Sequence, residues 1–130
     1  MGTFNPIFPI GNYFGVIAST GPGPVNFIDL HPRVQAQLPH SVTVSVDWVA
    51  QWRESVRDGV YAVPGFLIRS AGDSDARFVG HRPGIEVRWN VDRHLWLQAD
   101  YGIFFAGRFL KETRPGQNLN YSAVTVGYKL

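Results

Sequence analysis

Cysteine is absent from the 130-residue chain, so it holds neither a disulfide framework nor a thiolate metal centre. Long apolar runs are absent too. No stretch approaches the roughly 20 residues of a membrane-crossing helix, so such a chain can span a bilayer only as strands of a closed barrel. Charge is scarce: Asp, Glu, Lys and Arg make up 17% of residues, against about 25% in an average soluble domain. The net charge of +2 and pI near 9.2 form no clustered basic stripe, and nucleic acid is not an expected partner.

What is present is aromatic and alternating. Aromatic residues reach 14%, and the stretch Val91 to Arg108, VDRHLWLQADYGIFFAGR, has two faces of opposite character. Leu95, Leu97, Ala99, Tyr101, Ile103 and Phe105 fall on one side of a strand, and Gln98, Asp100, Gly102, Ala106 and Arg108 on the other. The pattern outlasts the five or six residues of a typical soluble strand and matches a tilted membrane-crossing one. One face suits lipid and the other suits water.

The rest of the chain repeats this design. Residues 1–23, rich in glycine and proline, read as a loop segment on the extracellular side, with a short apolar run from Tyr13 to Ala18. Residues 24–130 read as C-terminal barrel strands. In the first, Ile28, Leu30, Val34, Ala36 and Leu38 face outward, and Pro32 marks a bulge, a free edge or a position above the membrane band. After a turn at Pro39 to Ser41, Val44, Val46, Trp48, Ala50 and Trp52 face outward and Thr43, Ser45, Asp47, Gln51 and Arg53 inward. Pairing Leu38 with Val42 puts Ala36 opposite Val44 and the cation Arg33 opposite the anion Asp47. Glu54 to Ala76 is a long connection. Arg77 to Trp89 resumes with Val79, Ile85, Val87 and Trp89 outward and Arg82, Gly84, Glu86 and Arg88 inward, interrupted at Pro83. A turn at Asn90 to Arg93 follows, for which pairing Trp89 with Leu95 sets Glu86 opposite Gln98. Arg108 to Asn118 is a second long loop, and Leu119 to Leu130 a last strand with Val124, Val126, Tyr128 and Leu130 outward and Thr125, Gly127 and Lys129 inward.

Short turns and long loops therefore alternate, as in outer-membrane barrels, with tight turns toward the periplasm and long loops outside. The fold expected is all-β: an antiparallel meander of about five long strands, a segment of a large transmembrane outer-membrane β-barrel. The beginning, MGTFNPIFPIGNYFG, shows neither the basic region nor the apolar core of a secretory signal, so the chain reads as a fragment. The inward cations are Arg33, Arg53, Arg82, Arg88, Arg108 and Lys129, against the acids Asp29, Asp47, Glu86 and Asp100, six to four. Arg33 is the natural structural partner of Asp47. Arg53, Arg88 and Arg108 have no obvious acidic partner in these registers and are the stronger candidates for contact with an anion. His31, His40, His81 and His94 lack metal-site spacing, and neither metal nor cofactor is expected. No nucleophile elbow or phosphate loop is present, and nothing in one sequence fixes the separation that two of the carboxylates Asp47, Glu86 and Asp100 would need as a glycosidase pair, so an enzyme is not expected.

The phrases FNPIFPIGNYFG, NFIDLHP, DWVAQWRES, VGHRPGIEVRW and VDRHLWLQADYGIFFAGRFLKETRPG, closed by an alternating strand, resemble the C-terminal third of the bacterial alginate-export outer-membrane barrel family, from Phe4 to Leu130. The resemblance implies a barrel of roughly eighteen strands whose basic constriction passes an anionic polysaccharide across the outer membrane. It implies contact with outer-membrane lipid and with the barrel-assembly machinery; in such a barrel the inward cations read from the alternation, Arg53, Arg88, Arg108, Arg82, Arg33 and Lys129, are the expected pore-lining residues. The chain ends in Leu130 where outer-membrane strands usually end in an aromatic, with Tyr128 close by. The alternative is a secreted carbohydrate-binding β-sandwich module, which would bury the apolar face against a second sheet.

Overall fold

A computed structural model describes residues 25–62 and 65–130. The expected N-terminal loop over residues 1–23, with its Tyr13 to Ala18 run, lies outside the described residues. β1 (Ile28–Leu30) and β2 (Arg33–Leu38) both pair antiparallel with β3 (Val42–Trp52). They are one strand interrupted at His31 and Pro32. Leu30 faces Ala50 and Arg33 faces Asp47, so the gap leaves the register unchanged. Pro32 has no N–H to give, but its carbonyl still accepts from Trp48 N–H at 3.1 Å.

The first hairpin has the expected register throughout: Leu38 with Val42, Ala36 with Val44, Arg33 with Asp47. His40 and Ser41 supply the positive φ of its turn, at 64° and 59°. The long connection after β3 holds a small hairpin of its own, β4 (Val60–Tyr61) and β5 (Leu67–Arg69). β6 (Phe78–Asn90) then pairs with β3, β7 (Leu95–Ala106) with β6, and β8 (Leu119–Tyr128) with β7. The main sheet is an antiparallel meander, with β1 and β2 at one edge and β8 at the other. It does not close on itself.

Three details differ from expectation. Trp89 faces Leu97 rather than Leu95, so Glu86 lies opposite Asp100 and Arg88 opposite Gln98. The cause is the turn: Asp92 accepts from the N–H groups of His94 and Leu95 at 2.7 and 2.9 Å, and the Leu95 carbonyl accepts from Val91 and Asp92, which keeps residues 91–94 out of the ladder. Second, Val79 is not on the outward face. A register shift after Gln51 sets Trp52 opposite Phe78, and the extra residue turns Val79 inward, where it joins Val60, Ala76 and Phe109 in a buried cluster. Third, the loop after β7 begins with a short helix, α1 (Arg108–Thr113), which plants Phe109 in that same cluster.

The outward face is apolar and bare. Val34, Val46, Ile85, Tyr101, Val124 and Val126 all project from it and are 41–78% exposed. Among the described residues nothing covers it as a second sheet covers a sandwich, so they show none of the packing that the alternative fold requires. Aromatic rings gather on this face at both ends. His81 stacks on Phe105 at 5.0 Å and takes a 3.1 Å hydrogen bond from the indole of Trp48 near the loop end, while Trp89 and Tyr128 stand near the turn end. Two aromatic bands bordering an apolar zone is the pattern of a membrane-spanning barrel wall. No helix among the described residues is long and apolar enough to cross a membrane.

Candidate functional site: the inward face and its loop cap

The period of the strands sends Asp29, Arg33, Ser45, Asp47, Arg82, Glu86, Arg88, Trp96, Gln98, Asp100, Thr125 and Gly127 to the face opposite the apolar one. At its middle lies an ion-pair network. Asp47 is bound by Arg82 and, at 2.9 Å, by His31 Nε2. Arg33 donates to Ser45 Oγ and to Glu86, each at 3.0 Å. Glycines make the room. A Cβ on Gly84 would stand 2.5 Å from Asp47 Oδ1 and 2.6 Å from Arg82 Nη1, and one on Gly102 would stand 3.3 Å from Arg82 Nη1. The two glycines face each other across β6 and β7, forming a shallow trough in which the Arg82–Asp47 pair lies.

Nearer the turns the arrangement changes from ionic to stacked. Trp96 faces Gly127, and a side chain on Gly127 would overlap the indole, so the ring lies flat across the neighbouring strand. The Arg88 guanidinium sits over that ring, 4.4 Å from its centroid. The carboxylate of Asp100 receives the Gln98 amide at 3.1 Å on both oxygens.

At the loop end the inward face is covered. Arg53 is 0% exposed and donates to the carbonyls of Ala76, Val56, Asp58 and Ser74, with its guanidinium 3.9 Å from the centroid of Phe109. Burial pushes its pKa down, and the carboxylates of Asp75, Asp58 and Glu112 oppose that fall. Glu112 fastens the cap from above: it accepts from Ser74 Oγ at 2.5 Å and from Arg108 Nε at 2.5 Å. Those two hydrogen bonds, Ser74 first, hold the Glu112 carboxyl below its ordinary value, and Glu112 in turn raises Arg108.

The six cations named from sequence thus occupy three settings. Arg33 and Arg82 are both paired on the wall, but Arg33 binds Glu86 rather than the expected Asp47, which Arg82 takes instead. Arg53 and Arg108 are not bare cations of the wall; they hold the loop cap, because the connection after β3 and helix α1 fold back over the strand ends. Arg88 and Lys129 make no ion pair among the described residues. The expected surplus of six over four therefore disappears on the wall, where Arg33, Arg82, Arg88 and, just past β8, Lys129 stand against Asp29, Asp47, Glu86 and Asp100. Trp96 and the glycine trough went unremarked in the sequence. Trp96 was visible at an inward position of the strand period, whereas nothing in one chain tells a glycine that clears space from one that merely turns. No cluster of three His, Asp or Glu among the described residues is placed to hold a metal.

A search of curated proteins and a search of solved structures gave no match. A family profile did: that of the family described as alginate export covers residues 1–125. With an antiparallel sheet of long strands, one face apolar and the other an ionic, glycine-cleared wall, the chain belongs to the alginate export family, a family of outer-membrane channels that carry a polysaccharide.

Proposed function

We propose that this sheet is part of the wall of a passive conduit through which an anionic polysaccharide of the alginate type slides across the bacterial outer membrane. The observation that carries the reading is the division of the sheet into a bare apolar face and an opposite face of fixed charges that, among the described residues, pair with other groups of the wall or make no ion pair. Paired charges such as Arg82 with Asp47 keep the wall polar without gripping a passing carboxylate. Unpaired ones such as Arg88 and Lys129 attract it. A polymer meeting a few weak cationic sites in succession is held at none of them, which is what conduction requires. The apolar face meets outer-membrane lipid, and β8, with Tyr128 near its end, is the edge offered to the barrel-assembly machinery.

The test is electrical. In planar bilayers the complete barrel that contains this sheet is expected to prefer anions and to be blocked by oligouronates, more strongly at low salt because added salt screens the attraction. Replacing Arg88 and Lys129 together by Gln is expected to lower both the anion preference and the block. A channel that is indifferent to the sign of the ion and to oligouronates contradicts the proposal.

A further inference from the structure

Arg88 differs from every other arginine on the inward face. The acids that would claim it are engaged elsewhere: Glu86 receives Arg33 at 3.0 Å, and Asp100 receives the Gln98 amide on both oxygens. Among the described residues Arg88 makes no ion pair, and its side chain rests on the face of Trp96. That contact holds the guanidinium against the indole face, 4.4 Å from its centroid. A planar cation lying on an aromatic ring keeps its N–H edge free while the stacked face loses its freedom to turn. The ring is itself held, since Gly127 leaves it a flat bed on β8 and any larger residue there would lift it. Three residues on three strands thus present one oriented, unoccupied donor fork.

Its height on the wall matters as much as its shape. Asn90 pairs with Trp96 as the last rung before the turn, and Arg88 pairs with Gln98 just within it. The fork therefore stands at the short-turn end of the sheet, the end that barrels of this type set toward the periplasm.

We infer that Arg88, oriented by Trp96 over Gly127, is the entry site at which the carboxylate of a uronate unit is first captured from the periplasmic side. The inference rests on the conduit reading and adds to it a place, a direction and a positioning residue. A uronate carboxylate approaches the guanidinium edge-on and takes two parallel hydrogen bonds, the geometry in which arginine outperforms lysine. Trp96 does not touch the carboxylate. Its part is to aim the fork, so that less freedom is lost on capture.

The experiment measures block of the complete barrel in planar bilayers by a uronate trisaccharide added to one side at a time. Wild type is expected to be blocked more strongly from the turn side. R88Q is expected to weaken turn-side block by about tenfold. W96A keeps the charge but frees the fork, and is expected to weaken it by about two- to fivefold, with W96F restoring most of the loss. R88K is expected to fall between wild type and R88Q. Loop-side block should move little in all four. Turn-side block unchanged in R88Q overturns the entry site while leaving the conduit reading intact. Block lost in R88Q but unchanged in W96A overturns the positioning role of Trp96. A wild-type channel that no uronate blocks from either side overturns the conduit and the entry site together.

Discussion

Arg33 stands directly opposite Asp47 in the β2–β3 ladder, yet its guanidinium reaches over β3 to Glu86 on β6, 3.0 Å away. Asp47 is already taken from the far side by Arg82. The two pairs differ in their surroundings. The side chains of Arg82 and Asp47 are 14% and 15% exposed, those of Arg33 and Glu86 47% and 30%. An exposed pair contributes little and a shielded one leaves an uncompensated charge when broken. D47N is therefore expected to lower the stability of the folded channel by roughly 2 kcal/mol and E86Q by less than about 1 kcal/mol, read from denaturant midpoints in lipid vesicles. Equal losses would show that the two pairs share one environment.

The glycine trough gives a graded test. G84A places a methyl group against both Asp47 and Arg82, whereas on G102A the nearest atoms are Arg82 Nη1 at 3.3 Å and the Pro83 carbonyl at 3.4 Å, close to ordinary contact. The obstructing atoms are side-chain ends that can swing aside, so the backbone is expected to fold while the ion pair opens. G84A should cost about 1 kcal/mol and G102A close to nothing, by the same unfolding measurement. A G84A channel as stable as wild type would mean that the trough does not shape the pair.

Removal of Arg53 should loosen the cap and spare the strands. R53M keeps the volume but leaves carbonyls of Ala76, Val56, Asp58 and Ser74 without their donor. Loss of about 3 kcal/mol of local stability is expected. The readout is faster amide exchange across Glu54 to Ala76 and in α1, with β6 and β7 unchanged. Uniform exchange across cap and strands would contradict a local role.

The cap is also expected to respond to acid. Glu112 has its pKa lowered in the folded chain by Ser74 and Arg108, so the stability it contributes is fully present above the ordinary carboxylate value. That contribution disappears as pH falls through the depressed folded value. Amide exchange in α1 and around Ser74, corrected for intrinsic rates, should accelerate over that window in wild type and be pH-independent there in E112Q. A wild-type cap that does not change on acidification would remove Glu112 from the latch.

How much of this was legible before the structure depends on what alternation can register. The first hairpin was readable to the residue, because a tight turn fixes the pairing and both apolar faces coincide in one register only. The Trp89–Leu97 pairing was not. A slip of two residues returns every side chain to its own face, so the pattern around Asn90 to Arg93 is equally satisfied by Leu95, and only the hydrogen bonds of Asp92 decide. Val79 was misplaced for the opposite reason: a bulge adds one residue and reverses the faces beyond it without leaving a mark in composition. Arg53 and Arg108 seemed bare because their partners are backbone carbonyls and a helix neighbour, and a search across ladders for acids does not see either. The α1 helix, six residues long, spans fewer than two turns, too few for a helical period to repeat.

The division of one sheet between lipid and an aqueous, uronate-bearing lumen is tested most directly on β8, where both faces are within one residue of each other. These 130 residues hold no cysteine, so single cysteines at Val124 and Val126 and at Ala123 and Thr125 can be compared in the assembled channel. A water-soluble, membrane-impermeant thiol reagent is expected to label Ala123→Cys and Thr125→Cys, more slowly when oligouronate fills the channel, and to leave Val124→Cys and Val126→Cys untouched. Labelling of the valine positions, or of all four alike with no protection by oligouronate, would contradict it.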